Sequence, residues 1–179
     1  DYKEIFELPY DSFEEIIIKG AAVGFADVPL CEKEPYIIRY AEMIDNWAEC
    51  DCFCSCIKVK KSEADDLLRL AEGLMYRKEE FVSRVGTVLM FSKFSDEPTV
   101  RKALTIYDRL PSGEYYRDMA VAWGISVYCV RYPQLIVKYL EHSPISIAVK
   151  LAAAQKIRDS RRISDEVKRR VTDTVNAQR

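Results

Sequence analysis

Residues 44–53 read Ile-Asp-Asn-Trp-Ala-Glu-Cys-Asp-Cys-Phe, and they predict a helix that begins after a break near Asp45 and Asn46. Trp47 and Asp51 are four residues apart, so a helix places them one above the other on the same face. An indole ring attracts cations through its π face, and a carboxylate attracts them by its charge. The pair therefore suits a cationic ligand. The alternative is that Trp47 is a core residue and Asp51 a solvated charge at a helix end, because most tryptophans are well buried.

Helical periodicity continues on both sides of this stretch. Apolar residues recur at helical spacing in roughly nine segments joined by short turns, and no segment shows the two-residue period of a strand. A basic turn, Lys58–Lys61, follows the helix that carries Trp47. The other predicted boundaries are an N-cap at Asp11 or Ser12, a connector bracketed by Pro29 and Pro35, a capping box at Ser62–Asp65, helix starts at Pro98, Tyr115, Pro133, Ser146 and Ser164, and a turn at Pro111–Gly113.

One internal echo indicates how these helices are arranged. The residues Tyr116–Val121 resemble Phe81–Gly86 at an offset of 35 residues, and each group leads into an apolar helix. Helix pairs that recur at such a spacing are typical of α-solenoids of the HEAT or armadillo kind. We therefore expect an all-α, curved solenoid of HEAT-like helical repeats, with a concave cleft lined by every second helix. An irregular helical bundle is the alternative.

The composition bounds the class of protein. With 179 residues, 49 % apolar and 31 % charged, the chain suits one soluble globular domain with a substantial core. No uncharged apolar run is long enough for a membrane span, and no basic-then-apolar leader opens the chain. We expect a cytoplasmic monomer with no membrane partner.

Charge is unevenly distributed along the chain. The net charge is −8 over residues 1–49, +1 over residues 50–149 and +5 over residues 150–179. A sequence pI near 5.6 argues against nucleic acid as a general partner. The basic C-terminal part nevertheless permits a local positive surface, although a run of charge is more often a solvated helix face.

Four of the six cysteines alternate along one helical segment: Cys50, Cys52, Cys54 and Cys56. A helix places them on two different sides, so they do not converge on one metal ion. We expect reduced cysteines that act as small core residues, with no metal site and no cofactor. The alternative hypothesis is a protein that uses these cysteines for redox chemistry or metal binding.

Four segments of the chain together resemble the AlkD-like DNA alkylation repair enzymes, which are HEAT-like-repeat alkylpurine DNA glycosylases. In chain order, the segments are Ile44–Ser55, Phe81–Val88, Tyr115–Trp123 and Gln155–Ser160. The resemblance implies that Asp51 matches the essential carboxylate of the family, that Trp47 and Trp123 match its two cleft tryptophans and that Arg84 matches its cleft arginine. It also implies an open cleft rather than a deep base-flipping pocket.

The resemblance implies one HEAT-like-repeat DNA glycosylase domain over residues 1–179. Relative to the family the chain begins late, by roughly one and a half helical repeats, so we expect it to lack the N-terminal helices that help hold DNA. The strongly acidic segment before residue 50 also departs from the family pattern, because it repels phosphate wherever it faces DNA.

The implied activity is monofunctional hydrolysis of the N-glycosidic bond of cationic N3- or N7-alkylated purines in double-stranded DNA. We expect Asp51 to stabilise the oxocarbenium-like sugar, and Trp47 and Trp123 to hold the sugar and the cationic base. Arg84 is expected to grip a backbone phosphate. Lys156 and Arg158 are expected to contact further phosphates, with solvated surface charge as the alternative for each. The competing hypothesis for the whole chain is a non-catalytic helical-repeat scaffold that binds DNA or a protein partner.

Overall fold

The computed structural model describes residues 1–178, which form eleven α-helices and contain no strand. The all-α prediction is confirmed. The helices are α1 (Tyr2–Glu7), α2 (Phe13–Phe25), α3 (Leu30–Met43), α4 (Trp47–Cys56), α5 (Ala64–Met75), α6 (Glu80–Lys93), α7 (Glu97–Tyr107), α8 (Tyr115–Arg131), α9 (Pro133–His142), α10 (Ile147–Asp159) and α11 (Asp165–Asn176), with a 3-10 turn at Lys61–Glu63. Across the described residues, no helix is both long and apolar enough to cross a membrane.

Several predicted helix boundaries are confirmed by side-chain caps. Ser12 forms a capping box with Glu15, and Asn46 accepts hydrogen bonds from the backbone N–H groups of Ala48 and Glu49. Ser146 and Ser164 cap α10 and α11 in the same way. These side chains satisfy N–H groups that the first turn of a helix leaves unpaired.

Two predicted boundaries are wrong. Pro35 does not end a connector but lies inside α3, which runs from Leu30 through the proline to Met43. Ser62 does not open a capping box either, because α5 begins at Ala64 without a side-chain cap. The Glu63 carboxylate accepts instead from the backbone N–H groups of Leu30 and Lys60. The short helix α1 was not predicted.

The chain divides into two compact units, residues 1–92 and residues 93–178. In the first unit α2 packs against α4, and α3 packs against α5. In the second unit α8 packs against α10, and α9 packs against α11. Each unit thus stacks alternate helices on one another. The division does not test the prediction of a single domain over residues 1–179, because repeat arrays also contact only their neighbours.

Glycine permits the closest helix approach in the first unit. A Cβ added to Gly86 on α6 would lie 2.5 Å from the backbone nitrogen of Met75 and 2.6 Å from the carbonyl oxygen of Ala71, both on α5. These are backbone atoms and do not move aside cheaply. Ser83, one turn earlier on α6, donates from Oγ to the carbonyl oxygen of Met75 at 2.8 Å. Close contact with α5 therefore fixes the position of α6.

Two buried lysines of the same unit donate hydrogen bonds to backbone carbonyl oxygens near helix ends, in place of water. Lys33 on α3 is 1 % exposed, and its Nζ donates to the carbonyl oxygens of Ala26 at 2.8 Å and Lys58 at 2.6 Å. Lys19 on α2, also buried, donates from Nζ to the carbonyl oxygens of Phe6 and Leu8. These carbonyls follow helix C-termini, where intrahelical donors are missing. Burial lowers the pKa of Lys33, although the carboxylates of Glu63 and Asp27 oppose that effect.

The close approach at Gly86 predicts opposite effects for two glycine substitutions. Gly86→Ala forces α6 away from α5 and should lower the free energy of unfolding by about 1–3 kcal/mol, the usual cost of overpacking. Gly73→Ala on α5 is the matched control, because an added Cβ there meets no atom within 4 Å. It should raise stability by roughly 0.5–1 kcal/mol through helix propensity. Urea unfolding of both variants measures the difference, and equal effects would contradict the packing argument.

Replacing Lys33 tests its role at the two helix ends. Lys33→Met keeps the apolar stem but leaves the carbonyl oxygens of Ala26 and Lys58 without their donor, so unfolding free energy should fall by about 1–3 kcal/mol. Lys60→Met, an exposed position in the neighbouring turn, is the control and should change stability little. Thermal and urea unfolding followed by circular dichroism measure both. A neutral Lys33→Met variant would show that the buried ammonium does not stabilise the fold.

Candidate functional site

The site is built on the first two turns of α4. Asn46 caps this helix, and the helix then carries Trp47 and, one turn later, Asp51. Trp47 is 57 % exposed, so it is not a core residue. Cys50, Phe53 and Cys54 are buried residues of the same helix.

Asp51 is held by an arginine from a different helix. The Nη2 atom of Arg84 on α6 lies 2.9 Å from Oδ1 and 3.0 Å from Oδ2 of Asp51. The arginine side chain is 6 % exposed and the aspartate side chain 21 % exposed, so the contact forms where the protein interior meets solvent. One nitrogen bridges both oxygens.

Packing fixes the geometry of this ion pair. Arg84 lies on α6 between Ser83 and Gly86, the residues that hold α6 against α5. On the α4 side, the thiol of Cys54 lies 3.7 Å from the carbonyl oxygen of Val85 as a weak donor. The two helices are therefore joined by an ion pair and a buried thiol contact one turn apart. A charge-assisted contact held by two packed helices presents the carboxylate in one orientation.

The remaining carboxylate of α4 points elsewhere. Glu49 is 3 % exposed, and its Oε2 atom has no hydrogen-bond partner among residues 1–178. It lies beside the phenol of Tyr40, whose pKa is raised by burial and, to a smaller extent, by the Glu49 charge. Glu49 is two residues from Asp51, so the helix directs the two carboxyl groups to different sides. Of the two, Asp51 is the more exposed, with 21 % of its side chain accessible.

The cysteines divide by environment. Cys50, Cys54 and Cys129 are buried, as expected for small core residues, and burial raises the pKa of the Cys129 thiol to about 12. Cys31 and Cys52 are exposed, so the prediction that cysteines serve as core residues is wrong for these two. The alternation along α4 therefore places thiols on both the inner and outer sides of the helix.

The other predicted site residues lie in the second unit. Trp123 is half-buried on α8. Lys156 is half-buried and Arg158 exposed on α10, and the Arg158 guanidinium donates to Gln155. Residues two apart leave a helix in nearly opposite directions, roughly 160° apart at 3.6 residues per turn. One face of α10 therefore does not present both side chains.

The structure thus brings together Asp51 and Arg84, with Trp47 one turn from Asp51 on α4. The near-complete burial of the guanidinium against a carboxylate favours an internal ion pair over an exposed phosphate contact. Gly86 and Ser83 support the site and were not predicted as site residues. A glycine inside a helical pattern was the available signal, because such a residue costs about 1 kcal/mol and often marks a close approach. Comparisons with family models, with curated proteins and with solved structures gave no match to this chain.

The Asp51–Arg84 ion pair is predicted to couple two helices energetically. Arg84→Met removes the guanidinium that contacts a partly buried carboxylate and should lower unfolding free energy by about 2–4 kcal/mol. The double variant Asp51→Asn/Arg84→Met should lose less than the sum of the single variants, by about 1–3 kcal/mol. Arg77→Met is the control, because Arg77 binds Glu42 and Glu79 at the surface and its loss should cost much less. Additive single-variant effects would show that the contact contributes no coupling.

Proposed function

We propose that the protein is a monofunctional DNA glycosylase that hydrolyses the N-glycosidic bond of cationic N3- or N7-alkylated purines in duplex DNA. The observation that carries this proposal is a fixed, partly exposed carboxylate beside an open indole: Asp51, held by Arg84, with Trp47 one turn away on α4. The resemblance of four sequence segments to alkylpurine DNA glycosylases supports the same assignment. So does the stacking of alternate helices within each unit, which is the packing expected of HEAT-like repeats.

The chemistry of the substrate matches a site with one available carboxylate. Glycoside hydrolysis ordinarily needs one carboxylic acid to protonate the leaving group and a second carboxylate on the other side of the sugar. An N3- or N7-alkylated purine already carries a positive charge, so it leaves without an acid. The bond between C1′ and the purine nitrogen breaks with its electron pair passing to the purine. Water then adds to C1′ and releases one proton.

Asp51 would act at the sugar in this scheme. As the glycosidic bond breaks, positive charge develops on the deoxyribose, and a negative carboxylate fixed nearby stabilises that transition state. The same carboxylate can accept a hydrogen bond from the attacking water and so orient it. Because Arg84 holds both oxygens in place before the substrate arrives, little reorganisation is needed during the reaction.

Arg84 is therefore proposed as a positioning residue rather than as the phosphate contact expected from the sequence. Its 5 % exposure supports this role. Trp47 is proposed to lie against the sugar or the cationic base, since its ring is open to solvent. Trp123 is proposed as a further aromatic contact with the substrate. Lys156 and Arg158 of the second unit are proposed as phosphate contacts.

A non-catalytic scaffold is the second candidate, and one observation favours it. The ion pair between Asp51 and Arg84 joins α4 to α6, and a helical-repeat scaffold has the same use for such a contact. In that case Trp47 and Asp51 would contribute to binding or packing but not to a reaction. Base release separates the two functions directly.

Asp51→Asn is expected to reduce the release of N7-methylguanine or N3-methyladenine from methylated duplex DNA by about 10²–10³-fold, because the fixed negative charge is lost. Binding to the same duplex should change little. The measurement is single-turnover base release with saturating protein, together with equilibrium binding. Glu49→Gln is the matched control, since it removes a carboxylate from the same helix on the side away from Trp47, and it should retain release.

Circular dichroism melts of both variants show whether the fold is kept. Loss of release in Asp51→Asn with an intact fold and intact binding supports catalysis. A wild-type protein that binds duplex DNA and releases no alkylated base would instead establish the scaffold.

A further inference from the structure

The basic turn Lys58–Lys61 directly follows the helix that carries Trp47 and Asp51. Helix α4 ends at Cys56, five residues beyond Asp51, which is about 7.5 Å along the helix axis. Lys58, Lys60 and Lys61 are all exposed. The end of the helix is thus about two nucleotide steps from the candidate catalytic carboxylate, at 3.4 Å of duplex axis per nucleotide of a strand, and the three lysines follow directly beyond it.

Most other bases of the first unit are already engaged. The arginines pair with carboxylates: Arg39 with Glu7, Arg69 with Asp66, Arg77 with Glu42 and Glu79, and Arg84 with Asp51. Lys19 and Lys33 are buried against carbonyl oxygens. Lys58, Lys60 and Lys61 form no ion pair with any carboxylate within residues 1–178. This turn is where the first unit presents clustered positive charge.

The backbone of the turn is held in place by specific contacts. The backbone nitrogen of Lys58 donates to the carbonyl oxygen of Gly24 at 3.0 Å, and the Lys58 carbonyl oxygen accepts from the ammonium group of buried Lys33. The backbone nitrogen of Lys60 donates to the carboxylate of Glu63 at 3.1 Å. The buried ammonium group of Lys33 and the carboxylate of Glu63 thus hold the backbone of a turn whose lysine side chains face solvent. An ordered loop loses less entropy when it binds a partner.

A neighbouring ring further orients one of these lysines. The Nζ of Lys58 lies 4.7 Å from the centre of the Phe25 ring, which is 53 % exposed. A cleft of about 310 Å³ separates this ring from Lys60 and is lined also by Asp27 and Val28. Two carboxylates, Asp27 and Glu63, line this cleft and oppose the local positive charge; backbone N–H groups hold the Glu63 oxygens without removing their charge. The three lysines of the turn and buried Lys33 outnumber these two carboxylates, so positive charge remains in excess.

We propose that Lys58, Lys60 and Lys61 bind the phosphate backbone of the DNA duplex on which Asp51 acts. This inference rests on the proposed function for its choice of partner. Lysine is a flexible point charge that binds phosphate without reading sequence, so the contact would add affinity and register rather than base specificity. It also explains how a unit with a strongly acidic N-terminal segment approaches a polyanion: the duplex meets the basic turn beside the site.

The test compares two double variants with the same change in net charge. Lys58→Ala/Lys60→Ala removes two ammonium groups from the turn, and Lys3→Ala/Lys78→Ala removes two exposed lysines from elsewhere in the same unit. Binding to a short duplex, with and without one N7-methylguanine, is measured over a range of salt concentrations. The slope of log Kobs against log salt should fall by about 2 for the turn variant alone.

The turn variant should also weaken binding to both duplexes by the same factor, whereas the Lys3→Ala/Lys78→Ala control should weaken neither to that extent. Equal slopes for the two double variants would overturn the inference even if base release is observed. A reduced slope in a protein that releases no base would overturn the proposed glycosylase activity and leave the backbone contact established. Displacement of the duplex by orthophosphate at constant ionic strength would identify a free-phosphate site and overturn the DNA assignment.

Discussion

Arg84 carries a positive charge into the packed interior of the first unit, and Asp51 supplies the opposite charge at the point where that interior meets solvent. A buried guanidinium without a carboxylate would be costly, so the two helices that carry these residues must keep their separation and register. The carboxylate is held as a consequence of this requirement. The same contact that closes the gap between α4 and α6 therefore presents a fixed negative charge beside the exposed ring of Trp47.

Short polar contacts and small residues bring the helices close enough for that ion pair. Gly86 lets the α6 backbone approach α5, and Ser83 donates to the end of α5 from the neighbouring turn. Lys33 acts at the C-terminal end of α4, where its ammonium group joins the α2–α3 connection to the turn after α4. This end of the site helix is thus tied to a neighbouring connection by a buried donor.

The charge distribution fits the proposed polyanionic partner. The first unit neutralises its arginines internally and leaves its unpaired lysines concentrated in the turn that follows α4. A duplex approaching from that side would meet positive charge first and the single accessible carboxylate of α4 next. Negative charge stabilises the reacting sugar but repels the phosphates. A carboxylate on the helix and lysines in the turn after it therefore suit the proposed glycosylase.

Local sequence determined the helices, most of their starting points and the common face of Trp47 and Asp51. Caps such as Asn46 and Ser164 act within three residues, and the four-residue spacing on a helix is fixed by its geometry. Helix boundaries predicted from local sequence were wrong where contacts with distant residues decided the structure. Pro35 sits inside α3 because burial of Leu30, Ile37 and Tyr40 in the same helix offsets the lost backbone hydrogen bond. The predicted capping box at Ser62–Asp65 does not form, and Glu63 accepts instead from the backbone N–H of Leu30, which is 33 residues away.

The partner of Arg84 was likewise decided by tertiary structure. Nothing within a few residues of Arg84 distinguishes a phosphate contact from an internal ion pair, since both need the same guanidinium. The answer depends on how closely α4 and α6 pack and on how much solvent reaches the side chain. Those quantities are set by residues 30 or more positions apart in the chain, so periodicity and composition identify the charged residues but leave their partners to the fold.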